Sequence, residues 1–404
     1  MNSMKPPALV IALAEGVKAL GGTAYAVGGV VRDHLLNRPI YDWDIEVHEV
    51  PEVELVSLLR RLGHVDAVGK AFAVFKLTKR GLTLDVSLPR QDSNAGPGHK
   101  GIDVVGDPFL GIREASRRRD LTLNAILCDL LTGELLDPFG GVDDLNNGIL
   151  RAVDEQTFLE DPLRSLRVVQ FAARLNAAPT PDLIVLCQRA TVDELPAERI
   201  RGEWFKLLLA DHPSVGLDVA RRANLLDRVF PGTATDSGTT LDRMVPTRDA
   251  EPHPGRKLAL MLTGWLATAT DPEAMLDVLF IHKWQGYRLR EAVLKAVDAL
   301  HKPSASDSDL RRLATLAEPF LTLSVAHAQG TEPGTHPALA RATELGLRYD
   351  AETPLLQGRD LFALGAKPGP HMGTLLTVVY DAQIDGSVRT RDQALTLAQA
   401  HLTA

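Results

Sequence analysis

Residues 28–44 read GGVVRDHLLNRPIYDWD, and few folds satisfy so many demands in so short a span. The run before it, Thr23–Val27 (TAYAV), is β-branched and aromatic and predicts a strand. Gly28 and Gly29 follow at once. Lacking Cβ atoms, they let the backbone come close to a bound phosphate. A helix is expected over 31–36, carrying Arg32 and Asp33, and the planar fork of Arg32 suits phosphate oxygens. Residues 42–47 predict a second strand. Positions i and i+2 of a strand share a face, so Asp42 and Asp44 can be offered together to one divalent-metal cluster. A glycine pair alone is most often a turn, and Asp-x-Asp alone often marks a solvated strand edge. Their combination in strand, turn, helix and strand is what narrows the reading.

Three further segments carry chemistry. Strands are expected over 71–78 and 82–88, and Asp85 sits in the middle of the second with apolar neighbours. A buried strand carboxylate is costly unless it is paired or binds a metal, so Asp85 is a supporting third acid, with a structural ion pair as the alternative. Helices are expected over 53–62 and after Arg118, and turns at Thr132-Gly133 and Gly140-Gly141. Residues 117–125 read RRRDLTLNA. Arg118 and Arg119 suit a triphosphate or a ribose, and Asp120 and Asn124, four apart, share a face if the segment is helical. The plainer alternative is a basic helix start with an Asp cap. Residues 160–175 read EDPLRSLRVVQFAARL. Asp161-Pro162 is a good helix start, and Asp161, Arg164 and Arg167 follow at helical spacing. A carboxylate accepts from an exocyclic amine and a guanidinium donates to a ring nitrogen. Cytosine and adenine present that pair on their pairing edge, whereas uracil and guanine present the opposite order. An Asp161/Arg164 pair would therefore favour C and A and leave U and G with unpaired polar groups.

Together these segments resemble the class II tRNA nucleotidyltransferases and bacterial poly(A) polymerases, within the superfamily that shares a head with DNA polymerase beta. The resemblance is strong over about residues 20–230, moderate over the last ~50, and poor over 240–350. It adds LDPFGGVDDL (136–145), which in the family is a flexible connector, and ERIRGEWFK (198–206), which stabilises the neck. It also takes in a Gly- and Pro-rich tail segment from Leu355. The implied fold is α+β: a polymerase-beta-like nucleotidyltransferase head over residues 1–150, a helical neck with the base reader over 151–235, and a helical body and tail over 236–404 that would bind tRNA. The implied roles give Asp42, Asp44 and, in support, Asp85 to catalysis, with two Mg²⁺ ions held by Asp42 and Asp44. Nucleotide binding falls to Gly28, Gly29, Arg32, Asp33, Arg118, Arg119, Asp120, Asn124, Asp161, Arg164 and Arg167. The implied activity is template-independent addition of C and A to the 3′ end of tRNA from CTP and ATP. Relatives that add only CC, only the final A, or poly(A) share nearly the same motifs. A non-catalytic RNA-binding protein on the same head would not need intact Asp42, Asp44, Arg119 and Asp161. A transferase acting on a small molecule would not need the reader. Some relatives carry a phosphohydrolase domain marked by His-Asp; no such dipeptide occurs here, so that activity is not expected.

Composition sets the remaining bounds. Sparse aromatics (5%) with abundant Leu and Ala predict a helix-rich body. A net charge of −8 argues against bulk attraction to nucleic acid. A partner senses the local field, however, and basic clusters stand at Arg60-Arg61, at Arg117 to Arg119, and at Arg164, Arg167 and Arg174. Cys128 and Cys187 read as buried thiols, as in a reducing compartment. The N-terminus lacks the pattern of a signal peptide, and the longest apolar stretch, 258–269, is short of the ~20 residues of a membrane span. A cytoplasmic protein without membrane contact is expected.

Overall fold

The computed structural model describes residues 4–67, 74–94, 102–231, 238–302, 306–330 and 337–403. The chain forms two compact units, residues 1–199 with 215–229, and residues 200–214 with 230–404. The sequence also predicts polar breaks over 231–240, 302–309 and 330–337, of which residues 232–237, 303–305 and 331–336 lie outside the described residues.

The first unit is built on a mixed sheet. Its strands are β1 (Thr23–Val27), β2 (Trp43–His48), β3 (His64–Ala67), β4 (Val74–Lys79) and β5 (Leu82–Ser87). A separate antiparallel pair follows, β6 (Arg90–Asn94) and β7 (Ile102–Gly106). Then β8 (Leu127–Asp129) and β9 (Leu135–Leu136) complete the main sheet, whose order is β3-β4-β5-β2-β1-β8-β9. Among the described residues of this sheet only β2 and β5 run parallel; β1 is antiparallel to both β2 and β8.

Strand alternation separates core from site. Ala24, Ala26, Trp43, Ile45, Val47, Leu84 and Val86 face one side and are buried against helices α1 (Ala8–Ala19) and α3 (Glu52–Leu62). The period of two then sends Tyr25, Val27, Asp44, Glu46, His48 and Asp85 to the other side. There Tyr25, Val27 and Leu127 form a small apolar patch. The short helix α2 (Gly29–Leu35) leaves β1 directly after Gly28.

Several expectations shift. The second strand begins at Trp43, not Asp42, because its ladder with β5 opens at Trp43↔Leu84. Asp42 therefore stands just before the strand. Residues 71–73 of the third predicted strand lie outside the described residues, and the rest becomes β4. The largest correction falls after Arg118, where no α-helix forms. The helix α4 (Ile112–Arg117) ends there, and the chain runs through a single 3₁₀ turn, Thr122–Asn124, into β8. Long-range bonds override the helical spacing. Leu121 bridges Ala152, Thr122 N donates to Arg151 O at 3.0 Å, and Val153 N donates to Asp120 O at 3.3 Å. Helix α5 (Gly141–Asn146) follows Gly140, which is left-handed at φ +73°. Both oxygens of Asp137 cap it, accepting from Gly141 N at 2.8 Å and Val142 N at 2.9 Å.

Helices α6 (Glu155–Glu160), α7 (Leu163–Leu175) and α8 (Pro181–Arg189) complete the part of this unit that matters for the site. Helix α9 (Ala197–Leu208) leads into the second unit. That unit is helical throughout its described residues. Its core includes a cluster of Trp204, Phe230 and Trp265, with ring centroids 4.6–5.1 Å apart, and a terminal cluster from Leu356 to Ala398. Among the described residues no helix is long and apolar enough to cross a membrane. Cys128 and Cys187 are free and buried, and burial pushes the Cys187 thiol up to about 12.

Candidate active site

The acids gather at the junction of β2 and β5. Asp44 and Asp85 are direct register partners. Asp42 and Asp44 are open to solvent. Desolvation, then the Asp85 carboxylate and, more weakly, Asp42 push the Asp44 carboxyl above its ordinary range, with Arg119 opposing. One oxygen of Asp85, Oδ1, is buried with no hydrogen-bond partner among the described residues, and Lys76 Nζ lies 3.8 Å from it. As the side chains stand, no three His, Cys, Asp or Glu groups among the described residues close around a single metal position. The donor chemistry nonetheless suits a divalent cation. The site has only oxygen ligands, crowded negative charge, and an orphaned carboxylate oxygen whose desolvation a cation would offset.

Beside the acids lies a cationic wall. Gly28 has φ +62° and caps α2, and a Cβ placed there would come within 3.2 Å of Arg119 Nη1. The Arg119 guanidinium therefore lies over the glycine turn. Arg118 and Arg119 each bring Nη2 to the same atom, Glu46 Oε2, at 3.4 and 3.3 Å. Glu46 is fully buried, and its Oε1 lies 3.1 Å from His48 Nε2. Although burial opposes it, the hydrogen bond from His48 and the two arginines bring the Glu46 carboxyl down to about 2, so it is ionised. The edge of Tyr25 packs on the His48 ring at 5.4 Å.

Asp120 and Asn124 do meet, without a helix. Asn124 Nδ2 donates to Asp120 Oδ1 at 2.9 Å, and Arg167 Nε donates to Asp120 Oδ2 at 2.6 Å. Asp120 is buried, which opposes ionisation, but Arg167 and Asn124 hold its carboxyl below the ordinary value. Arg32 is not at an open phosphate surface, as its sequence position implied. It is 5% exposed, donates to Asn124 Oδ1 at 2.8 Å and to Asp33 Oδ1 at 2.9 Å, and stacks on Phe171 at 5.0 Å. Arg167 and Arg174 approach the same ring at 5.3 and 5.8 Å.

Helix α7 is tied into this network. Asp161 Oδ1 accepts from Leu163 N at 3.1 Å, fastening the helix start. Arg199 Nη2 reaches both oxygens of Asp161, at 3.2 and 2.9 Å. Arg164 donates from Nη1 to Thr157 O at 2.7 Å and from Nη2 to Arg118 O at 2.5 Å. Its desolvation lowers the guanidinium pKa from a value far above neutral. Arg164 N also donates to Asp161 O at 3.0 Å, while the hydrogen bonds of the two side chains go to other groups.

Glu46, His48, Phe171 and Arg199 were missed from the sequence. Glu46 and His48 continue the period of two from Asp44, a signal that was present. Phe171 and Arg199 lie inside quoted motifs, but their partners are 139 and 38 positions away or in another element.

Residues 24–151 match the poly A polymerase head domain, and residues 188–236 match a "Probable RNA and SrmB- binding site of polymerase A". A multifunctional CCA protein of Nitrosococcus oceani is 38% identical over 211 residues, which cover 51% of this chain and 50% of the relative. One from Vibrio vulnificus is 39% identical over 214 residues, with the same shares covered. The matched stretch spans about half the length of these curated relatives. Among solved structures, a Bacillus stearothermophilus CCA-adding enzyme in complex with CTP superposes with a TM-score of 0.76 at 23% identity, covering 99% of both chains. A Thermotoga maritima CCA-adding enzyme complexed with tRNA superposes with a TM-score of 0.71 at 22% identity, covering 99% of this chain and 97% of the other. At that identity these two likenesses bear on the fold alone, over 99% of this chain.

Proposed function

We propose that this chain is a member of the class II tRNA nucleotidyltransferases and bacterial poly(A) polymerases, and that it adds C and A nucleotides to the 3′ end of tRNA from CTP and ATP, releasing pyrophosphate. The observation that carries the reading is the pairing of Asp44 with Asp85 across parallel strands, with a raised Asp44 carboxyl, directly beside the Arg119 and Gly28 turn. An acid cluster next to a cationic phosphate cradle is what transfer of a nucleotidyl group requires.

Asp42 and Asp44 would hold two Mg²⁺ ions, with Asp85 in support. Bound there, the ions would lower the pKa of the attacking 3′-hydroxyl and stabilise the leaving pyrophosphate. The chain's own residues do the rest. Gly28 opens the backbone to phosphate, and Arg119 and Arg118 place positive charge where the triphosphate lies. Asp120 and Asn124, held by Arg167 and Arg32, stand as the sugar-side pair. A carboxylate offers about four lone-pair sites, and Asp161 uses three, so one remains for an exocyclic amine. Arg164 uses two of its five N–H donors on carbonyls and keeps others for a ring nitrogen. The carbonyl it grips at Arg118 couples the base reader to the phosphate wall. The poly A polymerase description of the head favours poly(A) addition as the runner-up.

The test is incorporation of labelled CTP and ATP into tRNA that lacks its CCA end. Wild-type protein should incorporate both. Asp42→Ala should incorporate neither while keeping its circular dichroism and melting temperature. Turnover in that variant would remove the assignment. Asp161→Ala should admit UTP and GTP more than it slows CTP and ATP transfer.

A further inference from the structure

Glu46 is a fully buried acid on the site face of the sheet, two residues beyond Asp44 on β2. It is sealed from solvent, so it does not serve as a further open metal ligand. Burying an ionised carboxylate is expensive, and an apolar residue of similar volume would often stabilise a fold as well or better. Its environment is specific. One oxygen meets His48, itself 4% exposed and packed by Tyr25. The other is shared by Arg118 and Arg119, whose charges would otherwise repel each other. Arg119 then extends its Nη1 over Gly28, and its buried Nε has no hydrogen-bond partner among the described residues.

We propose that Glu46 is a positioning residue and internal counter-anion: it fixes Arg119 over the glycine turn, holds Arg118 at the same carboxylate oxygen, and reduces their net pull on phosphate. The inference rests on the functional reading above. It assigns two separable effects to one side chain. Position governs how well the arginines meet the charge that develops during transfer, and so governs kcat. Charge governs how tightly substrate triphosphate and product pyrophosphate are held, and so governs KM and release. The carboxylate competes with phosphate for the same two guanidinium groups, so removing its charge should tighten anion binding while loosening the geometry. Loss of a merely structural residue would not produce that opposition.

The experiment uses the full chain. Pyrophosphate and ATP binding is measured by calorimetry alongside kcat and KM for CTP and ATP. Glu46→Gln should bind pyrophosphate about threefold or more tightly and lose about tenfold or more in kcat. Glu46→Asp keeps the charge but draws it back, so it should retain wild-type pyrophosphate affinity while still losing kcat. Combined with Arg119→Lys, Glu46→Gln should add little further loss, because both act through one group. Pyrophosphate binding by Glu46→Gln that is unchanged or weaker, with wild type binding normally, overturns the role of Glu46 alone. Additive losses in the double variant do the same. Should Glu46→Gln fail to fold, loss of pyrophosphate affinity in Glu46→Asp overturns the proposal by itself. Wild-type protein that binds neither pyrophosphate nor ATP overturns the functional reading, and this inference with it.

Discussion

Asp44 shows how a residue can be poor for stability where the proposed function needs a carboxylate. Its carboxyl is raised by desolvation, Asp85 and Asp42, with Arg119 offsetting only part of this, so like charges are held together at a cost. Asp44→Asn should therefore melt above wild type in the absence of Mg²⁺, and under the proposed function it should also abolish transfer. Adding Mg²⁺ should raise the melting temperature of wild type by mass action and leave Asp44→Asn unmoved. A thermal shift series with and without Mg²⁺ decides both points. Asp120 has the opposite sign. Its folded-state value lies below the ordinary one, so its stabilisation is present above about pH 4 and is lost as pH falls through the folded value. Asp120→Asn should destabilise the fold at neutral pH by about 1–3 kcal/mol, because it removes the anion that Arg167 and Asn124 hold. It should also flatten the acid limb of a stability profile, and denaturant melts from pH 7 to 2 measure both. At this scale the placement of Asp42, Asp44 and Asp85 near one another was legible from type and spacing. Arg199 was not, because nothing local says that Asp161 is its partner.

The elements show where local pattern governs and where it yields. The strands Thr23–Val27 and Leu82–Ser87 were readable because alternation and β-branching agree with their place in the sheet. The segment after Arg118 was misread as helical because its leucines and its Asp120/Asn124 spacing fit a helix, whereas bonds to Arg151, Ala152 and Val153 pin it open. The expected proximity of Asp120 and Asn124 survived the wrong conformation, since a 3₁₀ turn also brings such positions together. That segment rests on α5. A Cβ on Gly141 would fall 2.1 Å from Thr122 O, which gives this glycine a close-packing role beside the connector role implied by the resemblance. Gly141→Ala should cost about 1–3 kcal/mol by overpacking. Because it pushes on the turn that holds Asn124, it should also raise the KM for both nucleotides. A variant with wild-type melting and wild-type KM would mean that the contact is readily relieved elsewhere.

At the scale of the whole molecule, sequence and fold part company. Curated relatives align over about half the chain, yet the fold likeness covers 99% of it. Helical packing explains the gap. Residues 240–350 keep apolar positions at helical spacing, and any well-packed aliphatic set meets that demand, so the sequence can drift while the helices stay. The head cannot drift so far, because charges and glycines there must meet particular atoms. The measurement that bears most directly on the central claim is sequencing of product ends. tRNA transcripts lacking CCA, lacking CA, or lacking only the final A are incubated with the wild-type chain, Mg²⁺ and all four nucleotides. The account predicts that all three finish as CCA, with no U or G incorporated and no extension beyond the final A. Ends that stop at CC, gain only the last A, or run on as poly(A) would contradict it in favour of a specialised relative. Unextended ends would contradict transfer itself.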